Sequence, residues 1–353
     1  MNIQIWSCRF GSGHLSAARS LQSQIEKIRP FDQVVIKDLV ELSFPKTHRL
    51  IYHSYQKLVV TGAKLVSYIY GDSPQRPMSD RPSPIERLLL LNVFEQLDDS
   101  LPDVAIATYS LATKALARYK QTYPDAFRLI TCITDVEAHP GWINQETDLY
   151  LVACEATRQD LLRQGISDDK ILVQGIPVRD ILPADKTDSV YRILVTGGGL
   201  GLLPSSERFY RELDVSGAQV TVVCGKNDKL YRKLSRLQFS HIEVLGYCEH
   251  LGRLLSQADL IITKPGGVTT FEAITAGVPL LAFTPSLPQE QSNARFILTH
   301  QLGEVLPKEQ VPDKVAEILQ PDRLAHYRQN IDRFRSTLGS GGFDHYLRSR
   351  LCS

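Results

Sequence analysis

The sequence predicts an α/β protein of two doubly wound, parallel-sheet domains. Short β-branched runs alternate with longer helical patterns, the alternation restarts midway, and glycine-rich loops recur between a strand and a helix. In the first half the strand-like runs are Ile3–Cys8, Val34–Asp38, Val104–Thr108, Leu129–Thr134, Leu149–Ala153 and Ile171–Val173. Gly11-Ser12-Gly13-His14 follows the first of them and opens a pattern in which Ala17, Ala18, Leu21 and Ile25 fall on one helical face. In the second half the runs are Tyr191–Thr196, Gln219–Cys224, Ile242–Leu245, Leu260–Thr263 and Leu280–Phe283, and Gly197-Gly198-Gly199-Leu200-Gly201 follows the first as the earlier loop did. Gly175-Ile176-Pro177-Val178 and the polar stretch Pro183–Ser189 separate the series, which places domains at 1–186 and 187–335. A helical tail, 336–353, broken at Gly339-Ser340-Gly341-Gly342, would pack back on the first domain. Two such domains facing one another would open the carboxyl ends of both sheets, where this architecture binds ligands, onto one cleft.

Composition narrows the class. The 353 residues are 43% hydrophobic and 22% charged, with a formal net charge of +1, which suits a soluble globular chain and offers no global attraction to nucleic acid. The six cysteines, at 8, 132, 154, 224, 248 and 352, never reach a Cys-x-x-Cys or Cys/His ligand spacing, as expected of reduced, buried thiols in a cytoplasmic protein. Met1-Asn2-Ile3-Gln4-Ile5-Trp6 runs straight into a glycine loop without the basic and apolar regions of a signal peptide. No apolar stretch reaches the ~20 residues a membrane span needs.

The glycine loops differ in what they could do. Gly11-Ser12-Gly13-His14 is an incomplete dinucleotide fingerprint, because Ser16 stands where a further glycine is required and Asp38 lies 25 residues beyond Gly13. His14 in a first helical turn would have its pKa lowered by the helix dipole, suiting a neutral imidazole that accepts a proton; a capping or solvent-facing ring is the plain alternative. Leu129–Thr134 ends in Asp135, with His139-Pro140-Gly141-Trp142 beyond it. Asp135 and His139 would give acid/base help or orient a hydroxyl, or else form a turn and a His–Trp contact. No further ligand at helical spacing joins them, which argues against a metal.

Thr263-Lys264-Pro265-Gly266-Gly267-Val268-Thr269-Thr270-Phe271-Glu272 reads as a strand end, a tight loop and a helix start. The unpaired amides and positive dipole end of such a start hold a diphosphate well, and Glu272 one turn inside would accept hydrogen bonds from a ribose. Thr269-x-x-Glu272 also fits a capping box. The loop of Gly197, Gly198, Gly199 and Gly201 would let backbone approach a ligand closely. Gln289, Glu290 and Asn293 offer amide and carboxylate groups suited to sugar hydroxyls, or a cap for a helix starting near Asn293.

Between Phe44 and Gly71 stand Lys46, Arg49, Lys57 and Lys64, no acidic residue, and many apolar and aromatic side chains including Tyr52 and Tyr55. Such a mixture suits a helix lying at an anionic membrane interface, or an amphipathic helix packed into the first domain. The Pro-rich segment that follows, from Asp72 to Pro84, reads as a loop.

Taken together, Gly11-x-Gly13-His14-x-x-Ala17-Ala18, Thr134-Asp135-x-x-x-His139-x-x-Trp142, Gly175-Ile176-Pro177-Val178, Gly197-Gly198-Gly199-x-Gly201, Cys224-Gly225-Lys226-Asn227, Thr263-Lys264-Pro265-Gly266-Gly267 with Glu272-Ala273, and Gln289-Glu290-x-x-Asn293 resemble, in order, the processive diacylglycerol glucosyltransferase and monogalactosyldiacylglycerol synthase family. The resemblance implies a GT-B glycosyltransferase that inverts the anomeric centre, moving glucose or galactose from a UDP-sugar to a lipid, most simply diacylglycerol. It implies no cofactor and no tightly bound metal. His14, or alternatively Asp135, would deprotonate the acceptor. Gly11, Gly13, His139, Trp142, Tyr52 and Tyr55 would line the acceptor side. Gly197, Gly198, Gly199, Gly201, Lys264, Gly266, Gly267, Val268, Thr269, Glu272, Gln289, Glu290 and Asn293 would hold the donor, the helix start stabilising the leaving group in place of a metal. The basic, tyrosine-rich segment from about His48 to Tyr70 would seat the enzyme peripherally on the anionic inner face of the membrane. Pro288 replaces the family's usual glycine before Gln-Glu, which bears on sugar choice. Other readings on the same architecture are transfer to a polyprenyl-linked or soluble acceptor, a UDP-sugar epimerase, and a nucleotide-sugar-binding protein.

Overall fold

The computed structural model describes residues 1–11, 13–60, 84–181, 190–285, 288–339 and 341–349. Ser12, the polar linker stretch 183–189, the Pro-rich segment ahead of Pro84, and the side chains of residues 56–60, 84–85 and 288–289 lie outside the described residues. The chain divides into two compact units, Met1–Pro177 with Leu338–Ser353, and Val178–Thr337. The second unit thus begins at Val178, ahead of the polar stretch read as the linker.

In the first unit β1 (Asn2–Ser7), β2 (Gln33–Asp38), β3 (Val104–Ala107), β4 (Arg128–Cys132), β5 (Leu149–Val152) and β6 (Ile171–Val173) form a wholly parallel sheet in the order β2-β1-β3-β4-β5-β6. Because successive side chains point to opposite faces, each strand feeds two cores. Ile3, Ile5, Val104 and Ile106 pack with Leu21 and Ile25 of the Gly13–Ile28 helix and with Phe343 and Leu347 of the Gly342–Ser349 helix. On the other face Trp6, Ala105 and Ala107 meet Leu90, Val93 and Leu97 of the Pro84–Asp99 helix and Ala112 and Leu116 of the Ser110–Thr122 helix. The tail is tied down by polar contacts as well, Gln24 Nε2 donating to Asp344 Oδ1 at 2.7 Å and Arg29 to the Leu347 carbonyl at 3.0 Å.

The second unit repeats the plan with β7 (Arg192–Thr196), β8 (Gln219–Val223), β9 (Ile242–Leu245), β10 (Leu260–Thr263), β11 (Leu280–Phe283) and β12 (Gly303–Leu306), parallel in the order β12-β11-β10-β7-β8-β9. One core of it joins Ile193, Val195, Val220, Val222, Leu260, Ile262, Leu281 and Phe283 to apolar residues of the flanking helices. The sequence reading lacked β12. Its four residues include Gly303 and Glu304, so no β-branched run marks it, and pairing with β11 makes it a strand.

Candidate active site

In open parallel sheets the strand order reverses at one point, and the space beyond the carboxyl ends of the two strands flanking it is left for a ligand. In the first sheet that point lies between β1 and β3; in the second it lies between β7 and β10. The Gly11–His14 loop follows β1 and Thr108 follows β3, while the Gly197 and Gly266 loops follow β7 and β10. All four fall at the switch points.

His14 sits in the first turn of the Gly13–Ile28 helix and is gripped from three sides. Its Nδ1 lies 3.1 Å from the Thr108 carbonyl and 2.8 Å from Thr134 Oγ1, and Thr108 Oγ1 donates to the His14 carbonyl at 3.1 Å. The ring stands edge-on to Tyr109, centroids 5.0 Å apart, and 6.4 Å from that of Trp142. A solvent-facing or capping role is therefore not the one His14 plays. A carbonyl can only accept, so a hydrogen bond between the ring and the Thr108 carbonyl requires the proton on Nδ1, and in that tautomer Nε2 carries the lone pair. Asp135 is half-buried directly after Thr134. His139 caps the short turn Pro140–Trp142 by accepting the Gly141 amide on Nδ1 at 3.1 Å, and its ring packs 5.8 Å from Trp142, which is 1% exposed.

The two predicted acceptor tyrosines dock their helix, His48–Val60, onto the loop before His14. The Phe10 ring packs 5.2 Å from Tyr52 and 5.0 Å from Tyr55, and 6.4 Å from Tyr109 beside His14. Tyr52 is buried and donates to Asp38 Oδ1 at 2.6 Å while accepting the Arg9 amide at 3.1 Å. Burial first, and the bond to Asp38 second, push its phenol pKa up, so it stays a neutral anchor. Asp38 Oδ1 also caps the Leu39–Ser43 helix through the Val40 and Glu41 amides, both at 3.0 Å, and Arg9 bridges Asp38 Oδ2 (3.0 Å) and Glu41 (2.6 Å). The acidic residue that fell at the wrong distance for a dinucleotide site has a structural role. Lys46, Arg49, Leu50 and His53 face solvent from the same segment. Among the described residues no helix is long and apolar enough to cross a membrane.

In the second unit the glycines of the Gly197–Gly201 loop make room first for another stretch of backbone. Gly201 has φ +65°, and a Cβ there would lie 1.9 Å from the Cys224 carbonyl oxygen; at Gly225, with φ +56°, a Cβ would lie 2.8 and 2.9 Å from the Gly199 and Gly198 carbonyl oxygens. Lys226 N donates to Gly199 O at 3.0 Å and Asn227 Nδ2 to Gly201 O at 3.0 Å, while Asn227 Oδ1 caps the next helix through Leu230 N at 3.1 Å. The loops after β7 and β8 are thus one interlocked unit.

The helix after β10 runs Gly267–Ala276 with Gly266 as its N-cap and no side-chain cap. Thr269 is therefore inside the first turn, and the capping-box reading of Thr269 and Glu272 fails. Without a capping side chain, the first-turn amides of Gly267, Val268 and Thr269 are left for an anionic ligand. Glu272 is 4% exposed, and its carboxylate accepts from Arg179 Nε at 3.1 Å, while Arg179 also donates to the Glu249 carbonyl at 3.0 Å. Burial raises the Glu272 pKa, and Arg179 opposes that rise. Lys264 ion-pairs with buried Glu290, and Asn293 Nδ2 donates to the Pro265 carbonyl at 3.2 Å. Glu290 and Asn293 both belong to the Pro288–Thr299 helix, which starts five residues before Asn293, so Asn293 fastens the glycine loop from inside that helix. The Gln289 side chain lies outside the described residues.

Sequence reasoning missed Arg179, Tyr109, Phe10 and the grip of Thr108 and Thr134 on His14. Arg179 directly follows Gly175-Ile176-Pro177-Val178, and that adjacency was its only signal. The others are placed by sheet order, which brings the ends of β1, β3 and β4 side by side.

Comparison with known proteins gives the same division. The family model for monogalactosyldiacylglycerol (MGDG) synthase matches residues 14–178, and that for the glycosyltransferase family 28 C-terminal domain matches 192–333. A processive diacylglycerol beta-glucosyltransferase of Bacillus pumilus is 27% identical over 355 residues, covering 93% of this chain and 90% of its own. Among solved structures, MurG of Acinetobacter baumannii aligns over 98% of both chains with a TM-score of 0.61 and 13% identity. The spinosyn rhamnosyltransferase SpnG aligns over 99% of this chain and 100% of its own, with a TM-score of 0.65 and 14% identity. The two structural likenesses establish a GT-B fold. The chain thus joins an MGDG synthase domain to a glycosyltransferase family 28 C-terminal domain, and it is a glycosyltransferase.

Proposed function

We propose that the enzyme transfers a hexose, glucose or galactose, from a UDP-sugar to diacylglycerol at a membrane surface, with inversion and without a metal. The observation that carries this reading is the pairing of two prepared sites. A proton-accepting imidazole stands at the first unit's switch point, and an uncapped helix start with a buried carboxylate one turn inside stands at the second's. His14 Nε2 takes the acceptor hydroxyl proton as the acceptor oxygen bonds to the anomeric carbon. The anomeric C–O bond to the diphosphate breaks, its electron pair leaves with UDP, and the first-turn amides of the Gly267–Ala276 helix take up the charge that a metal would otherwise neutralise. Glu272 accepts from the ribose, and Gln289 and Glu290 hold the sugar hydroxyls. The class of acceptor is taken from the relatives' activity, and the exposed Lys46, Arg49 and Leu50 around the start of the His48–Val60 helix are suited to an anionic bilayer.

Product analysis tests the reading. The purified protein, with EDTA present, is incubated with UDP-glucose or UDP-galactose and anionic vesicles containing diacylglycerol, and the lipids are examined by mass spectrometry. A hexosyl-diacylglycerol formed from one donor supports the proposal and names the sugar. Interconversion of the UDP-sugars without lipid product would replace it by the epimerase reading, and loss of all product in EDTA would overturn the metal-free step.

A further inference from the structure

We propose that Thr134 is a positioning residue for His14, its hydroxyl together with the Thr108 carbonyl fixing the imidazole in the Nδ1–H form that leaves Nε2 to accept the proton. The inference rests on the assignment of His14 as the base. Thr134 lies two residues beyond β4 and is 4% exposed; Thr108, directly beyond β3, is fully buried. β4 neighbours β3 and β3 neighbours β1, so the three strand ends meet where the Gly13–Ile28 helix begins.

Two oxygens face one ring nitrogen, at 2.8 and 3.1 Å. If the Thr134 hydroxyl donated to an unprotonated Nδ1, the Thr108 carbonyl would point its lone pairs at another lone pair in a buried site. That repulsion is relieved only when Nδ1 carries the hydrogen and shares it between the carbonyl and Thr134 Oγ1, which then accepts. The shorter contact is the one to Thr134. Both of these Nδ1 partners are uncharged oxygens, where a histidine base is more often oriented by a carboxylate. When Nε2 takes the acceptor proton, the ring becomes positive and both Nδ1 contacts become charge-assisted, so the grip strengthens as the transition state forms. Removing one such bond without changing side-chain shape is expected to lower turnover and leave donor affinity alone.

The test compares Thr134→Val, Thr134→Ser and His14→Ala in the full-length enzyme. Steady-state kinetics with varied UDP-sugar is combined with 15N NMR of histidine-labelled protein. In the wild type the His14 signals should place the proton on Nδ1. Thr134→Val should lower kcat about tenfold with the donor KM unchanged, since each such hydrogen bond is worth about one factor of ten. The same variant should blur the tautomer signal, and Thr134→Ser, which restores the hydroxyl, should recover most of both. Wild-type kcat in Thr134→Val, no rescue by serine, or a wild-type spectrum with the proton on Nε2 would each overturn the role of Thr134. Full activity in His14→Ala would instead overturn the assignment of the base.

Discussion

At the scale of single residues, the two candidate carboxylates of the second unit are already partnered. Glu290 meets Lys264 and Glu272 meets Arg179, so a donor entering there adds hydrogen bonds to preset groups and does not have to order free side chains. Glu272 carries a cost for this readiness. Its pKa in the fold is raised above 4.5 by burial, so the fold favours its protonated form; stability is full below about pH 4.5 and declines as pH rises through the folded pKa. Glu272→Gln removes that charge, and the expected result at about pH 8 is a melting temperature at or above the wild type's, with UDP affinity sharply reduced. The stability gain should vanish on acidification towards pH 4, a range in which the wild type is neutral too. Thermal melts at both pH values, beside UDP titration, check the sign.

At the scale of elements, what was legible in the sequence was the strand–loop–helix alternation. All eleven strand runs read from β-branched patterning are strands, and the loops fall at their carboxyl ends because a parallel sheet sends every strand the same way. Helix registers were less legible. The Thr269–Glu272 and Asn293 readings assumed that a helix begins at a polar side chain, yet these helices begin at Gly266-Gly267 and at Pro288. Four glycines in the Gly197–Gly201 loop were read as room for a ligand, but Gly201 and Gly225 first permit two strand-end loops to interlock, a contact invisible until both strands lie side by side. Gly201→Ala should therefore destabilise the second unit by about 2 kcal/mol or more, since it combines a left-handed φ with a clash against the Cys224 carbonyl. Urea denaturation measures that loss, and a variant as stable as wild type would refute the interlocked account of the loop.

At the scale of the whole molecule, the chain leaves its first unit at Val178 and returns at Leu338. The returning helix is structural, with Phe343 1% exposed and Leu347 fully buried in a core shared with β1, β3 and the helix that bears His14. Phe343→Ala is expected to cost about 3–5 kcal/mol of first-unit stability, the range for a fully buried aromatic. Differential scanning calorimetry should show that loss in the transition of the first unit while UDP still stabilises the second. The central claim about the molecule is a division of labour, in which the first unit activates the acceptor and the second holds the nucleotide. It is tested most directly by the UDP dissociation constant of the His14→Ala enzyme, measured by calorimetry on a preparation whose turnover has been assayed in parallel. The account predicts a fall in turnover of about 10² to 10⁴-fold with UDP affinity unchanged. Loss of UDP binding in step with turnover, or turnover that survives, would contradict it.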